Sequence, residues 1–173
     1  MDKPQVLVGF TAAPSLIGAL IRAAEGNAPV SHAFLAWDDP CFGGRMTLGA
    51  NWNGLTVEPF EALMGERPML YRADFDLWRG IARLRRYINQ PYDYAALFGM
   101  TVVEAEKLLA HRLARNPFCH RSDFFCSEYV IAVLRAAGQD LLPGVPQGSV
   151  DPADLLRAVL QSPHFRAVAP AAA

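Results

Sequence analysis

Hydrophobic and polar positions in the first half of the chain form short runs that predict β-strands. Turn residues separate these runs, and the pair Asn53-Gly54 is a typical hairpin signal between two of them. The predicted strands are QVLVGF (5–10), VSHAFLAW (30–37), RMTLGANW (45–52), LTVEPF (55–60) and PMLYRA (68–73). Strands joined by tight turns imply an antiparallel sheet.

Apolar positions elsewhere recur every three to four residues, the spacing of helices. Helices are predicted for SLIGALIRAAEGN (15–27), for the segment in which Leu77, Ile81, Leu84 and Ile88 share a face, for VVEAEKLLAHRLAR (102–115), for CSEYVIAVLRAAG (126–138) and for SVDPADLLRAVLQS (149–162). Gly138 is expected to end one helix, and Asp151 with Pro152 to begin the next. The run HFRAV (164–168) predicts a last edge strand.

Strands followed mostly by helices predict an α+β fold. The length of 173 residues suits one domain with a sizeable core. We find no repeat and no linker, so we expect a single domain over residues 1–168 and a short frayed tail over 169–173.

Composition excludes several classes of protein. A formal net charge of −1 does not favour nucleic acid or an acidic membrane surface as a partner. Three cysteines without framework spacing argue against a secreted disulfide scaffold. We see neither a signal peptide nor an apolar stretch of the ~20 residues that a membrane span needs. The expectation is a cytoplasmic protein, with its oligomeric state open.

Cys126 is the first candidate for chemistry, because it stands where a helix is predicted to begin. Unpaired backbone N–H groups and the helix dipole favour a thiolate there, the form that attacks carbonyl carbons. The alternative is a small apolar residue packed under the helix end.

A cysteine nucleophile needs an imidazole to take its proton. Of the four histidines, His32 lies in an apolar strand, where a polar ring is costly without a partner. His111, His120 and His164 have weaker contexts. Cys119, His120 and Cys126 lack the paired spacing of a zinc site, so we expect no metal and no cofactor.

The segments NQPYDYAALFG (89–99) and FFCSEYVIAVLRAAG (124–138) resemble the nucleophile half of the NlpC-type papain-like peptidases. The histidine strand precedes the cysteine helix, an order similar to the circularly permuted branch, which includes YiiX/YaeF-like hydrolases and lecithin:retinol acyltransferase-like enzymes. The resemblance implies a papain-like antiparallel sheet packed against helices. It further implies a cysteine hydrolase, an amidase, peptidase or acyl-ester or thioester hydrolase, that forms an acyl-enzyme on a peptide, acyl or other small-molecule substrate.

The same resemblance implies roles for individual residues. Cys126 is the nucleophile and its backbone N–H an oxyanion donor, His32 is base and then acid, and Tyr92 donates a hydrogen bond beside the cysteine. Gly49 stands where the permuted relatives often carry a glutamate that orients the histidine. Residues two apart share a strand face, so Asn51 is the expected substitute, with Asn53 or no third residue as alternatives. A non-catalytic binding module of the same fold and a lipid acyltransferase remain the rival functions.

Overall fold

The six strands of this protein form one antiparallel sheet. The structure, a computed structural model, describes residues 3–12, 28–51, 54–63, 68–90 and 125–168. The strands are β1 (Leu7–Thr11), β2 (His32–Asp39), β3 (Gly44–Asn51), β4 (Gly54–Pro59), β5 (Met69–Ala73) and β6 (Phe165–Val168). Their order across the sheet is β4-β3-β2-β1-β5-β6, and every neighbouring pair is antiparallel.

The described ranges also contain three α-helices: α1 (Trp78–Leu84), α2 (Cys126–Ala137) and α3 (Pro152–Gln161). The predicted α+β class and the predicted strands, including the edge strand β6, are therefore confirmed. None of the helices in these ranges has the length and apolar character that crossing a membrane requires.

Local capping residues set the end of α2 and the beginning of α3, as predicted. The Asp151 carboxylate accepts a hydrogen bond from the Asp154 backbone N–H at 2.6 Å, and Pro152 opens α3 where its missing N–H costs nothing. Gly138 ends α2 with φ of 101°, a left-handed conformation that glycine adopts without a steric penalty.

The helix that was predicted to run as far as Ile88 is shorter than expected. α1 ends at Leu84, a single 3₁₀ turn follows over Arg85–Tyr87, and Ile88 is extended. The reason is a tertiary interaction: the backbone N–H of Asn89 donates to the Leu55 carbonyl at 2.7 Å, and the Leu55 N–H donates to the Gln90 carbonyl at 3.0 Å. Pairing with the edge strand β4 replaces the last helical turn.

The β3–β4 hairpin forms, but Gly54 of the predicted Asn53-Gly54 turn belongs to strand β4. Asn51 pairs with Gly54, the first residue of β4. In this register Thr56 stands across from Gly49, and Glu58 across from Thr47.

The two faces of the sheet carry two separate hydrophobic clusters. Alternate residues of β2, namely Ala33, Leu35 and Trp37, belong to the larger cluster, which also contains α2 residues. We call this the helix face. Phe34 and Ala36 belong to a smaller cluster on the opposite side, the histidine face, because His32 shares the alternation of Phe34.

On the helix face, α1 and α2 approach each other closely at Gly80. A Cβ added there would lie 2.1 Å from the Val133 carbonyl oxygen, a backbone atom that cannot turn aside. Glycine is thus required at this crossing. The predicted helices 15–27 and 102–115 and the tail 169–173 lie outside the described residues.

Candidate active site

Cys126 is the first residue of α2 and is 5% exposed. Phe125, the residue before it, is extended and has no side-chain oxygen that could accept from the N–H groups of the first turn. The predicted position of the cysteine at a helix start is confirmed. The thiol is therefore close to backbone donors and to the positive end of the helix dipole.

The loop that precedes α3 holds the first turn of α2 in place. The Ser127 hydroxyl donates a buried hydrogen bond of 2.7 Å to the Val150 carbonyl. The buried Glu128 accepts from the Gln147 side chain at 3.4 Å. These two contacts fix the helix start, and with it Cys126, relative to α3.

His32 begins β2 and pairs with Thr11 of β1. Its ring stacks on Phe34, with centroids 6.0 Å apart and planes at 20°. A Cβ added at Gly49 would lie 3.6 Å from His32 Nε2 and 3.2 Å from the Phe34 Cβ. An added Cβ would thus make ordinary contact with the imidazole but a tight contact with Phe34, and Nε2 is the ring nitrogen beside β3.

Burial lowers the pKa of His32 from its ordinary value of 6.5 to about 4, while the negative charge of Glu58 acts in the opposite direction. The imidazole is thus neutral at pH 7. A neutral imidazole has one nitrogen lone pair that can accept a proton, as a general base must.

Asn51, the predicted third residue, belongs to a polar cluster that includes a residue missed at the sequence level. Its Nδ2 donates to Glu58 Oε1 at 2.7 Å and to Thr56 Oγ1 at 2.9 Å. The Thr56 hydroxyl donates to the same Glu58 oxygen at 2.9 Å. Glu58 had a usable signal, because strand alternation after the hairpin puts positions 56 and 58 on the face of positions 49 and 51.

His32 and Asn51 stand at adjoining strand ends. The last pair of the β2–β3 ladder is Leu35 with Leu48, and His32 and Asn51 each lie three residues beyond it. Glu58 is the group linked to both, because it accepts a hydrogen bond from Asn51 and its charge acts on the His32 imidazole.

Helix α2, in contrast, packs on the helix face, and Cys126 lies at its beginning. A dyad of Cys126 and His32 therefore requires the thiol and the imidazole to meet at the end of β2, where His32 is the first residue. Their pairing stays a prediction.

Of the seven remaining candidates, two lie within the described residues and five lie outside them. Tyr92, Asn53, His111, Cys119 and His120 lie outside the described residues. His164 is exposed, with Nδ1 3.1 Å from the Asp74 carboxylate, and Cys41 is exposed in the β2–β3 turn. In the part of the chain that the structure describes, no three His, Cys, Asp or Glu side chains are grouped so that they could hold a metal ion.

The fold has a counterpart among solved structures. The crystal structure of the metalloprotein YiiX from Escherichia coli O157:H7 (DUF1105) matches with a TM-score of 0.61 and 16% sequence identity, over 98% of this chain and 98% of that chain. At this identity the likeness shows a shared fold alone. Neither a scan against protein-family models nor a search of curated proteins finds a match.

Proposed function

We propose that this protein is a papain-like cysteine hydrolase of the circularly permuted type, in which Cys126 attacks an amide, ester or thioester carbonyl. The observation that carries the proposal is a buried cysteine at the first position of α2, preceded by a residue that cannot cap the helix. A helix N-terminus lowers the pKa of a thiol and so favours the thiolate, the nucleophilic form. The neutral His32 supports it, since a cysteine nucleophile needs a base.

The reaction follows from the chemistry of these groups. His32 accepts the thiol proton as Sγ bonds to the carbonyl carbon, and the backbone N–H of Cys126 stabilises the resulting oxyanion. The tetrahedral intermediate collapses, the leaving group departs with the proton from His32, and an acyl-thioester remains on Cys126. Water, deprotonated by His32, then attacks the thioester and releases the acid and the free thiol.

Two further residues complete the proposal. The Asn51 side-chain oxygen is proposed to accept a hydrogen bond from the ring N–H of His32, which fixes which ring nitrogen is free to act, as the asparagine of a Cys-His-Asn arrangement does. Tyr92 is proposed to donate a hydrogen bond beside the thiol. The candidate substrates are murein-type peptides, other amides, and lipid esters or thioesters. Transfer of the acyl group to an acceptor other than water would make the protein an acyltransferase.

An acyl-enzyme trapping experiment tests the proposal. The purified protein is incubated with small panels of peptide amides, fatty-acyl esters and thioesters, and the acyl adduct is located by peptide mass spectrometry. We expect an adduct on Cys126 that is lost in Cys126→Ala and His32→Ala but kept in Cys41→Ser, a control that removes an exposed thiol. An adduct that persists in Cys126→Ala contradicts the assignment, and no turnover of any panel favours the binding module.

A further inference from the structure

Four arginines lie close together on α1 and on the 3₁₀ turn that follows it. Arg79, Arg83, Arg85 and Arg86 are all exposed, and we call them the arginine surface. The buried residues of α1 face the core on the other side of the helix. A guanidinium is always charged and matches the oxygens of a phosphate or carboxylate, so this surface offers four sites for an anion.

No acidic residue neutralises these charges in the described part of the chain. The sequence has no Asp or Glu between Asp76 and Asp93. Asp76 accepts a hydrogen bond from the Trp78 backbone N–H at 2.9 Å, and none of the ion pairs among the described residues includes an arginine of this surface. Arg83 and Arg85 donate to backbone carbonyls, which have a dipole but no net charge. The surface therefore keeps its four positive charges.

The small net charge of the whole chain conceals this surface. The four arginines contribute +4 to a total of −1, so the rest of the chain carries −5. Charges on a protein surface are screened over about 8 Å at physiological ionic strength. A partner that touches α1 therefore meets the local positive charge and not the average of the molecule.

The residues beside the arginine surface are of types found at the headgroup level of a bilayer. Tyr87 is half-buried, and the Arg86 guanidinium lies over its ring at 4.8 Å from the centroid. Val57 is 40% exposed, and it pairs with Leu48 of the helix face, on which α1 also packs. An amphipathic ring and an exposed aliphatic side chain next to cations suit an interface between phosphates and acyl chains.

The number of charges favours a membrane over a nucleic acid. Proteins that bind duplex DNA through its backbone make about 6–10 phosphate contacts, more than this surface can supply. Clusters of about four basic residues are sufficient at an anionic bilayer, where each one raises the affinity by about fivefold. We propose that the arginine surface docks this protein on an anionic lipid bilayer by binding the headgroup phosphates. The inference goes beyond the proposed function and does not rest on it.

Vesicle sedimentation with purified protein tests the proposal. The vesicles consist of phosphatidylcholine alone or of an equal mixture of phosphatidylcholine and phosphatidylglycerol. Arg79→Gln/Arg86→Gln removes two charges from the arginine surface, and Arg79→Lys/Arg86→Lys keeps them. Arg72→Gln/Arg166→Gln is the matched control, because these exposed arginines pair across β5 and β6 and Arg72 pairs with Leu7 of the histidine face.

We expect the wild type to bind the mixed vesicles and not those of phosphatidylcholine alone, and added salt to release it. Arg79→Gln/Arg86→Gln should weaken binding by about 25-fold, or about fivefold for each arginine. The control and the lysine variant should bind nearly as the wild type does. Thermal unfolding checks that each variant is folded. If the glutamine double variant is not, Arg85→Gln repeats the test with an expected loss of about fivefold.

Three results would overturn the inference. One is an absence of binding to the mixed vesicles, and another is an equal loss of binding in the two glutamine double variants. The third is arginine-dependent binding of a short DNA duplex without binding of vesicles, which would assign the surface to nucleic acid. None of these measurements involves acylation of Cys126, so their outcome is independent of the proposed function.

Discussion

Gly49 lies beside His32: the imidazole Nε2 is 3.6 Å from the point where a Cβ of residue 49 would be. The same Cβ would lie 3.2 Å from the Cβ of Phe34, which is 1% exposed and cannot move far. A Cβ at this position of β3 therefore crowds the Cβ of Phe34 and makes ordinary van der Waals contact with the imidazole. The histidine face has its polar groups on either side of Gly49, at Asn51 and on β4.

The first prediction is that Gly49→Ala destabilises the protein by about 1 kcal/mol or more, because overpacking forces a shift of the Phe34 backbone or of β3. Gly44→Ala is the matched control on the same strand, since no atom lies within 4 Å of its added Cβ. Urea denaturation of both variants gives the comparison. Equal midpoints for the two variants would show that the Phe34 contact is relaxed without cost.

Local signals in the sequence were enough to predict much of the fold. Gly138 ends α2, and Asp151 with Pro152 begins α3. Each of these residues acts within one turn of the helix end that it caps, so a short stretch of sequence predicts both boundaries. The end of α1 is not predicted in this way, because it depends on hydrogen bonds between Asn89 and Leu55, which are 34 positions apart in the chain.

The candidate site divides in the same way. Cys126 at a helix start and His32 in a strand follow from local patterns, and both are confirmed in those positions. The hydrogen bonds of Glu58 depend on the cross-strand register, in which Gly49 pairs with Thr56, whereas a turn at Asn53-Gly54 would pair Gly49 with Glu58. Which sheet face meets α2 is likewise a property of packing and not of any short segment.

The second prediction concerns stability and pH. The pKa of His32 is about 4 in the folded protein and 6.5 when the burial is removed, so the unfolded chain binds the extra proton as the pH falls below 6.5. The free energy of unfolding should therefore fall by up to about 3 kcal/mol as the pH is lowered from 6.5 to 4. The loss is complete below pH 4, where His32 is protonated in both the folded and the unfolded state.

Urea unfolding at a series of pH values measures this slope. His32→Phe keeps a ring against Phe34 but cannot titrate, so its stability should change less across the window. Met46→Leu, a buried substitution on the neighbouring strand that removes no titrating group, should keep the wild-type slope. Parallel curves for the wild type and His32→Phe would rule out the lowered pKa.

The third prediction tests the contact between α1 and α2. In Gly80→Ala the added methyl meets the Val133 carbonyl oxygen at 2.1 Å, so one helix has to move. We expect a loss of about 1–3 kcal/mol, the usual range for overpacking in a well-packed core. Ala82→Leu adds more volume on the exposed side of the same helix and should cost little. Thermal unfolding of the two variants distinguishes helix contact from a general intolerance of α1 to substitution.

The last prediction sets accessibility against reactivity. Cys41 is exposed in the β2–β3 turn, whereas Cys126 is 5% exposed, so accessibility alone predicts that a small alkylating reagent modifies Cys41 first. The proposed function predicts the reverse, because a thiol at the start of α2 that can pass its proton to a neutral imidazole is the better nucleophile. Cys119 is expected to behave as Cys41 does.

Mass-spectrometric mapping after brief alkylation at about pH 6, well below the pKa of an ordinary thiol, measures the three rates side by side. Cys126 should react much faster than the other two cysteines, and His32→Ala should remove most of this advantage. Met46→Leu, which leaves both residues of the proposed dyad in place, should preserve it. Faster modification of Cys41, or a Cys126 rate that is the same with and without His32, would mean that the buried cysteine packs under the helix end and does no chemistry.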